Sequence, residues 1–230
     1  MSVLAVDIGG SNLKFRTQHH KKHVSVPSGP KFTPRQMITA IAEHTAGWKF
    51  DRVTLGYPGP VANDRPLLEP HNLGGGWARF DYAKAFKRPV RMINDAAMQA
   101  LGAYRGGRML FLGLGTGLGS ALVLDGVVQP MELAHLSWRK GKTFEEHLGE
   151  AALLTEGKKA WRKTVTRAIE DLSAAFLVEY IVIGGGNAKR LKDVPDNVFI
   201  GSNADAFVGA FRVWDDHVVS PRRISPRLAG

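Results

Sequence analysis

Short apolar runs and amphipathic stretches alternate along the chain, with glycine at most of the junctions. The run "SVLAVDIG" predicts a buried strand, "GGSN" a tight turn and "LKFRTQ", which alternates apolar with polar, a second strand; "HVSVP" fits a third. "TPRQMITAIAEHTAG" predicts a helix that starts at Thr33 with Pro34 in its first position, repeats apolar residues at 37, 38, 41 and 42, and ends by Gly47. "DRVTLGYPGP" then gives a strand entering a Gly/Pro loop, "FDYAKAFKRP" a short helix, "VRMIN" a strand and "DAAMQALGAYRGG" a helix closed by paired glycines. Strands alternating with helices argue for an α/β layer architecture.

The second half repeats the theme. "RMLFLGLG", "GSALVLDG" and "GVVQP" predict three strands, the first two joined by a glycine turn. A long helical region is expected from about Thr143 to Phe176, then a strand in "EYIVIGGG", a helix in "NAKRLK" and a last helix in "ADAFVGAFRVW". Two halves that each open with a glycine-turn hairpin suggest two related lobes, residues 1–94 and 95–230. The Pro- and Arg-containing end from about His217 reads as a loosely ordered tail.

At 230 residues and 44% hydrophobic, the chain can bury a sizeable core. It has no cysteine, which excludes disulfides and thiolate metal sites and suits a reducing compartment. Asp7 interrupts the N-terminal apolar run and no basic segment precedes it, so no signal peptide is read; no run of 18 apolar residues exists either. A soluble, cytoplasmic protein is expected. Thirty-one Lys and Arg against 21 Asp and Glu leave a formal charge of +10, a field that favours polyanions. The basic residues fall in clusters, "HHKKH" (19–23), "RKGK" (139–142), "KRLK" (189–192) and "SPRRISPR" (220–227), each readable as a solvated turn or tail. None is interleaved with aromatics, and no zinc-finger or basic-zipper pattern occurs, so neither nucleic acid nor membrane is expected as a partner.

The glycine-rich stretches fail the dinucleotide test. Starting from Gly113, Gly115 or Gly117, the position five residues on is Leu118, Ser120 or Leu122, and from Gly184 it is Lys189. No Gly-Lys-Ser/Thr occurs, so a Walker loop is also excluded. What remains is a strand, a turn of glycines and a strand, twice: "DIGGSN" with Ser11 and "GLGTGLG" with Thr116. Backbone free of side chains can take positive φ and approach a ligand, and its N–H groups can gather around an anion. Each stretch could be an ordinary hairpin; together with Asp7 they fit a divided phosphate clamp with a carboxylate for Mg2+.

"DIGGSNLKF", "GYPGPV", "NLGGGW", "INDAAMQALG", "GLGTGLGSAL", "ELAHL" and "IVIGGGN" occur in the order found in sugar kinases of the ROK family, which the chain resembles over roughly residues 1–212. The likeness is greatest to the polyphosphate glucokinases of that family. It implies the actin/hexokinase-like (ribonuclease H-like) fold, α/β and two-lobed, with mixed sheets covered by helices on both faces. The implied reaction is Mg2+-dependent phosphoryl transfer from polyphosphate or ATP to the 6-hydroxyl of glucose. In the first hairpin, Asp7, Gly9, Gly10, Ser11, Asn12 and Lys14 would face the transferred phosphate, and Asp7 its Mg2+, directly or through water. In the second, Gly113, Gly115, Thr116, Gly117 and Gly119 would hold the donor's phosphates, while Gly184, Gly185 and Gly186 would pack against an adenosine. Asn72, Asn94, Glu132 and His135 correspond to sugar-contacting residues, and Asp95 to the general base that also touches sugar. The resemblance also implies that the last helix crosses back onto the first lobe, and relatives are commonly homodimers.

The residues allow plainer readings. Asp95 follows a strand and opens a helix, the place for a base in an open sheet but also for an N-cap. Glu132 and His135, three apart, could be a surface pair, and Trp77 fits packing better than a sugar platform. Many ROK kinases carry a Cys-rich zinc motif after Glu-x-x-His; "SWRKGKTFEEHLGEA" has none, so no zinc is expected. Ala134 stands where Gly is usual, and Asn12 at a position the family leaves free for positive φ, which Asn tolerates. ROK repressors begin with a helix-turn-helix domain, for which this chain leaves no room before its first hairpin. The competing functions are an ATP-dependent kinase of another hexose or hexosamine, and a catalytically idle sugar- or polyanion-binding protein.

Overall fold

The computed structural model describes residues 2–192 and 194–215, so the "SPRRISPR" cluster and the expected tail lie outside the described residues. Strands β1 (Val3–Ile8), β2 (Asn12–Thr17) and β3 (Val24–Pro27) form successive antiparallel pairs, after which the chain leaves through α1 (Pro34–His44). It returns as β4 (Arg52–Tyr57), parallel to β1, and passes through a small ribbon of β5 (Val61–Ala62) and β6 (Arg65–Pro66) and through α2 (Tyr82–Phe86). It then adds β7 (Val90–Asn94) beside β4, and the first sheet runs β3-β2-β1-β4-β7.

Helix α3 (Asp95–Ala103) carries the chain to a second sheet laid down by the same rule. Strands β8 (Arg108–Leu114), β9 (Leu118–Leu124) and β10 (Val127–Met131) pair antiparallel, and α4 (Phe144–Leu148) and α5 (Glu150–Phe176) follow. Strands β11 (Tyr180–Gly184) and β12 (Val198–Ile200) then add in parallel beyond β8, giving β10-β9-β8-β11-β12, and α6 (Asp205–Arg212) ends the described chain. In both sheets the third, second and first strands are antiparallel neighbours, and the fourth and fifth lie parallel on the other side of the first.

Local chemistry sets the element ends. Thr33 caps α1 in a capping box: its hydroxyl accepts from Gln36 N at 3.4 Å, and Gln36 accepts from Thr33 N at 2.9 Å, with Pro34 in the first turn. The single long helical region expected from Thr143 is two helices. A second capping box, Thr143 with Glu146, starts α4, and Gly149 then leaves helical backbone (φ −67°, ψ 171°). A Cβ there would lie 3.0 Å from Thr116 O, so the break belongs to the contact with the second hairpin. Within α5, Gly157 breaks the helix again at φ 79°. "NAKRLK" is no helix but one 3₁₀ turn, Ala188–Arg190, because the Asn187 side chain is drawn away to Gly115 and Arg190. Strand β12, three residues at a sheet edge, is too short to leave a periodic signal.

Each sheet is covered on both faces. On the outside of the first, α1 packs Met37 and Ile41 among Phe15, Leu55, Tyr57 and Trp77. On the outside of the second, α4 and α5 pack Phe144, Trp161, Val165 and Ile169 among Leu112 and Ile183. The other faces are covered by the crossed pair α3 and α6: Ala97 and Ala100 meet Phe111, Val123 and Val182, while Phe207 and Ala210 meet Ala5 and Met98. The crossing is tight, since a Cβ on Gly102 would overlap the Asp205 carbonyl and one on Gly209 the Met98 carbonyl. Arg212 Nη1 donates to the carbonyls of Leu101 (2.8 Å), Gly102 (3.2 Å) and Tyr104 (3.0 Å), closing the carboxyl end of α3. Buried Thr54 on β4 donates to Ala210 O at 2.7 Å and accepts from Trp214 Nε1 at 2.8 Å, which fastens α6 to the first sheet.

The "HHKKH" turn is not wholly solvated: His20 stacks on Trp48 at 3.7 Å and His23 on Phe207 at 5.4 Å between ring centroids. Among the described residues, no helix is long and apolar enough to cross a membrane.

Candidate active site

Strands β1, β4 and β7 are parallel, so the carboxyl ends at Ile8, Tyr57 and Asn94 share one edge of the first sheet; β8 and β11 end together at Leu114 and Gly184. Ligands of open α/β sheets bind outside such ends. The first hairpin turns here. Gly9 N donates to Asn12 O at 3.1 Å across Gly10 and Ser11, and Ser28 steadies the turn from β3, its hydroxyl donating to Gly9 O (2.6 Å) and its N–H to Ser11 O (3.0 Å).

Positive φ is not what glycine supplies in these turns. Gly9, Gly10, Gly113, Gly115, Gly117 and Gly119 all lie outside the left-handed region, and so does Asn12. Close approach is the reason at Gly9, Gly10, Gly117 and Gly119. A Cβ on Gly9 would lie 2.9 Å from Asn12 O, and one on Gly10 3.0 Å from the Cβ of Asn72, which places exposed Asn72 directly against the first turn.

The second hairpin is braced from three sides. Gly115 N donates to Gly117 O at 3.1 Å, and Glu145 of α4 accepts from Leu118 N at 3.0 Å while lying against Gly117. The Glu150 N–H, at the start of α5, donates to the carbonyls of Gly115 (3.1 Å) and Thr116 (3.2 Å). From the other side Asn187, 5% exposed, donates its amide to Gly115 O at 3.3 Å and its backbone N–H to Leu114 O at 2.9 Å. Thr116 is left exposed at the tip, and Gly115 and Gly186 face open space. Gly184 pairs with Gly113 in the ladder, and Gly185 (φ 83°) presses on the Leu114 backbone, so the glycine triplet lies beside this hairpin.

Helix α3 starts between the two hairpins. Its N-cap is Asn94, not Asp95. Asn94 is 8% exposed, its Oδ1 accepts from Ala97 N at 3.0 Å, and its Nδ2 donates to Gly59 O at 3.2 Å. Asp95, in the first turn, accepts from Ala96 N at 2.8 Å and stays partly exposed. A Cβ on Gly119 would lie 2.8 Å from Ala96 Cβ, so β9 of the second hairpin runs beside Asp95.

Asp95 feels two other carboxylates. Burial, foremost, then the charge of Asp7, then that of Glu132 push Asp95 up to about 7, against the pull of the Ala96 N–H. Asp7, cross-strand partner of Lys14, is itself raised by burial although Lys14 and His23 oppose the shift. Glu132 follows β10 in a segment held by buried Ser120, whose hydroxyl donates to Met131 O at 2.9 Å and accepts from Leu133 N at 3.2 Å. Its partner His135 is 3.9 Å away, and both side chains are more than half exposed. Ala134 between them is buried, and Trp77 is wholly buried as a packing residue. Ser28, Ser120, Glu145 and Asn187 had no signal as site residues, because each acts through one to three hydrogen bonds to segments that sequence spacing does not link to it.

Residues 3–130 match the ROK family profile. A glucokinase of Pyrobaculum calidifontis is 32% identical over 97 residues, 40% of this chain and 33% of that protein. The polyphosphate glucokinase of Mycobacterium leprae is 26% identical over 211 residues, 80% of this chain and 63% of that protein. The chain thus spans a third to under two thirds of the length of these curated relatives. Among solved structures, an inorganic polyphosphate/ATP-glucomannokinase from Arthrobacter sp. strain KM superposes with a TM-score of 0.76 at 25% identity, over 91% of this chain and 96% of that one. A ROK family glucokinase from Streptomyces griseus, solved with glucose and AMPPNP, gives 0.74 at 16% identity over 93% and 99%. The fold is that of these kinases, the actin/hexokinase-like fold.

Proposed function

The chain belongs to the ROK family, and from that premise we propose that it is a sugar kinase moving a phosphoryl group from polyphosphate or ATP to the 6-hydroxyl of glucose. The observation that carries this reading is Asp95: a partly exposed carboxyl at a strand end, between two glycine hairpins, pushed up to about 7. A general base works best with a pKa near the working pH. Asp95 accepts the proton of the 6-hydroxyl as its oxygen attacks phosphorus, and the Ala96 N–H holds the carboxyl in place. Asn72, Glu132 and His135 take sugar hydroxyls around it, and Asn94 contributes from the cap it forms. Residues up to 94 and the described residues from 95 onward act as two lobes that draw together over the sugar and keep water from the phosphoryl group.

The backbone N–H groups of Gly9, Gly10, Ser11 and Asn12 approach the transferred phosphate with Lys14, and Gly115, Thr116 and Gly117 hold the donor's remaining phosphates. Gly184, Gly185 and Gly186 give an adenosine a surface without side chains. Asp7 suits Mg2+, a hard cation held through one or two carboxylates and substrate phosphates while it keeps several waters. Among the described residues no set of three or more acidic or histidine side chains could hold a metal alone, which fits a cation brought in with the donor. Bound there, Mg2+ supplies charge that stabilises the oxygens of the transferring group.

The test is a matrix of glucose, mannose and an N-acetylated hexosamine against ATP and polyphosphate, with and without Mg2+, reading sugar phosphate formed. The expected result is Mg2+-dependent glucose 6-phosphate. Transfer only to another sugar would replace glucose in the reading. Sugar binding without transfer from either donor would overturn kinase activity in favour of a binding protein.

A further inference from the structure

Away from the two hairpins, a cleft of about 350 Å³ opens between α5 and the segment after the glycine triplet, lined by Arg162, Lys163, Thr166, Arg167, Glu170 and Lys192. Four cations face one carboxylate. Glu170 and neighbouring Asp171 hold the Arg167 guanidinium at 3.5 and 3.0 Å, so its charge is partly offset, while Lys163 and Lys192 are exposed and make no ion pair with any described residue. Thr166 adds a hydroxyl. A cavity with this lining suits several adjacent phosphoryl groups better than one carboxylate or an apolar body.

The cleft is joined to the donor hairpin by a chain of hydrogen bonds. Asn187 Nδ2 donates to Gly115 O (3.3 Å), Arg190 Nε donates to Asn187 Oδ1 (2.9 Å), and Arg162 Nε donates to Arg190 O. Helix α5 starts at that hairpin through Glu150, breaks at Gly157 and turns back far enough for Trp161 Nε1 to donate to Leu148 O at 2.9 Å, so the cleft opens near the helix start at Arg162 and runs outward to Arg167. A phosphate chain longer than a nucleotide's triphosphate can run from the hairpin out along the cleft.

We propose that this cleft binds oligophosphate, the outlying segment of a polyphosphate chain whose end lies at the hairpins. Only the placing of that end rests on the function proposed above. The anchor itself is a binding property, and a long chain, with more phosphoryl groups to lay along the cleft than ATP has, gains more from it.

The test uses the full chain and the triple variant Lys163→Ala, Arg167→Ala, Lys192→Ala, which spares Arg162 and its bond to Arg190. Binding of long-chain polyphosphate, tripolyphosphate and ATP is measured without sugar at several salt concentrations. A second triple variant, Arg35→Ala, Lys49→Ala, Lys84→Ala, removes the same net charge elsewhere. For the cleft variant, long-chain affinity is expected to fall tenfold or more, with a log–log salt slope shallower by about 2, at about 0.7 per charge by analogy with single strands. Tripolyphosphate and ATP binding should stay within twofold, as should all three ligands with the second variant. An unchanged long-chain affinity, an equal loss for all three ligands, or an equal loss in the second variant would overturn the proposal. Cleft-dependent binding in a protein that transfers no phosphoryl group from polyphosphate would uphold the cleft and refute polyphosphate as donor, so the two readings fail separately.

Discussion

Replacing Asp95 by Asn should make the protein more stable and far less active, and the stability gain should depend on pH in one direction. A carboxyl moved from 3.8 to about 7 costs about 4 kcal/mol when ionised, at about 1.4 kcal/mol per tenfold change in acidity. Relaxation and water entry reduce that figure, and about 2 kcal/mol is a reasonable remainder. The sign follows from proton counting. Between about pH 4 and 7 the folded chain keeps a proton on Asp95 that the unfolded chain has released, so folding stability falls as pH rises through this window. Above it the cost is present in full; below pH 4 both states are protonated and it vanishes. Asn keeps an oxygen to accept from Ala96 N (2.8 Å in the parent) and removes the charge repelled by Asp7 and Glu132.

For a chain of this size about 2 kcal/mol corresponds to roughly 4–8 °C in Tm. Thermal unfolding of ligand-free parent and variant at pH 8 should therefore differ by about that amount in the variant's favour, and converge near pH 4. Turnover should fall by about 10²–10⁴ with glucose affinity changed only a few-fold, and the parent's kcat/KM should drop as pH falls below about 7. A variant no more stable than the parent at pH 8 would refute the desolvated, repelled carboxyl. A variant with near-parent turnover would refute Asp95 as the base.

Three further outcomes are expected. Gly209→Ala drives a methyl into the Met98 carbonyl and should cost about 1–3 kcal/mol as α6 is pushed from α3, read by denaturant midpoint; an unchanged midpoint would mean the crossing is looser than described. Glu145→Ala leaves the Leu118 N–H without its acceptor and loosens the second hairpin, so the donor KM should rise about tenfold, matching the 1–3 kcal/mol of an unmet hydrogen bond, with sugar KM within twofold; parallel rises in both would show general damage instead. Asn94→Ala removes the cap on α3 and should lower stability by about 1 kcal/mol, and more than Asp95→Ala does at pH 8, which equilibrium unfolding of the two variants compares directly.

Much of this fold was legible because its strands are short, apolar and bounded by glycine, and because the hairpin theme occurs twice in order. Period and turn chemistry located both hairpins, the first helix with its Thr33 cap, and the strand that delivers Asp95. Of the two causes that reasoning offers for the turn glycines, positive φ and room for a ligand, positive φ fails in both turns. Positive φ is a local property that a sequence suggests readily, whereas the contacts that exclude a Cβ from Gly10 and Gly119 come from Asn72 and Ala96, remote in sequence. Asn94 and Asp95 are both good caps, and only the backbone decided between them. The braces Ser28, Ser120, Glu145 and Asn187 are isolated polar residues, and no periodicity marks a residue whose task is a few hydrogen bonds to another segment. Gly149 and Gly157 were visible inside the long helical region, yet what makes Gly149 a break is its packing against Thr116 O.

The repeated sheet design also explains why the two hairpins differ in chemistry. Asp7 is the second-last residue of β1 and pairs with Lys14 on β2 and Gly56 on β4. Gly113 holds the same position on β8 and pairs with Gly119 on β9 and Gly184 on β11. One half thus sets a carboxylate and an ammonium at the strand ends, and the other sets three glycines where those groups would be. A clamp with charge in both halves would repel or neutralise itself around an anion, and a clamp of glycine alone would offer no acid–base or cation-binding group. The chain passes from the first sheet to the second at Asn94–Asp95, so Asp95 stands where the charged half meets the open one, and that crossing is why its carboxyl feels Asp7 from one sheet and Glu132 from the other.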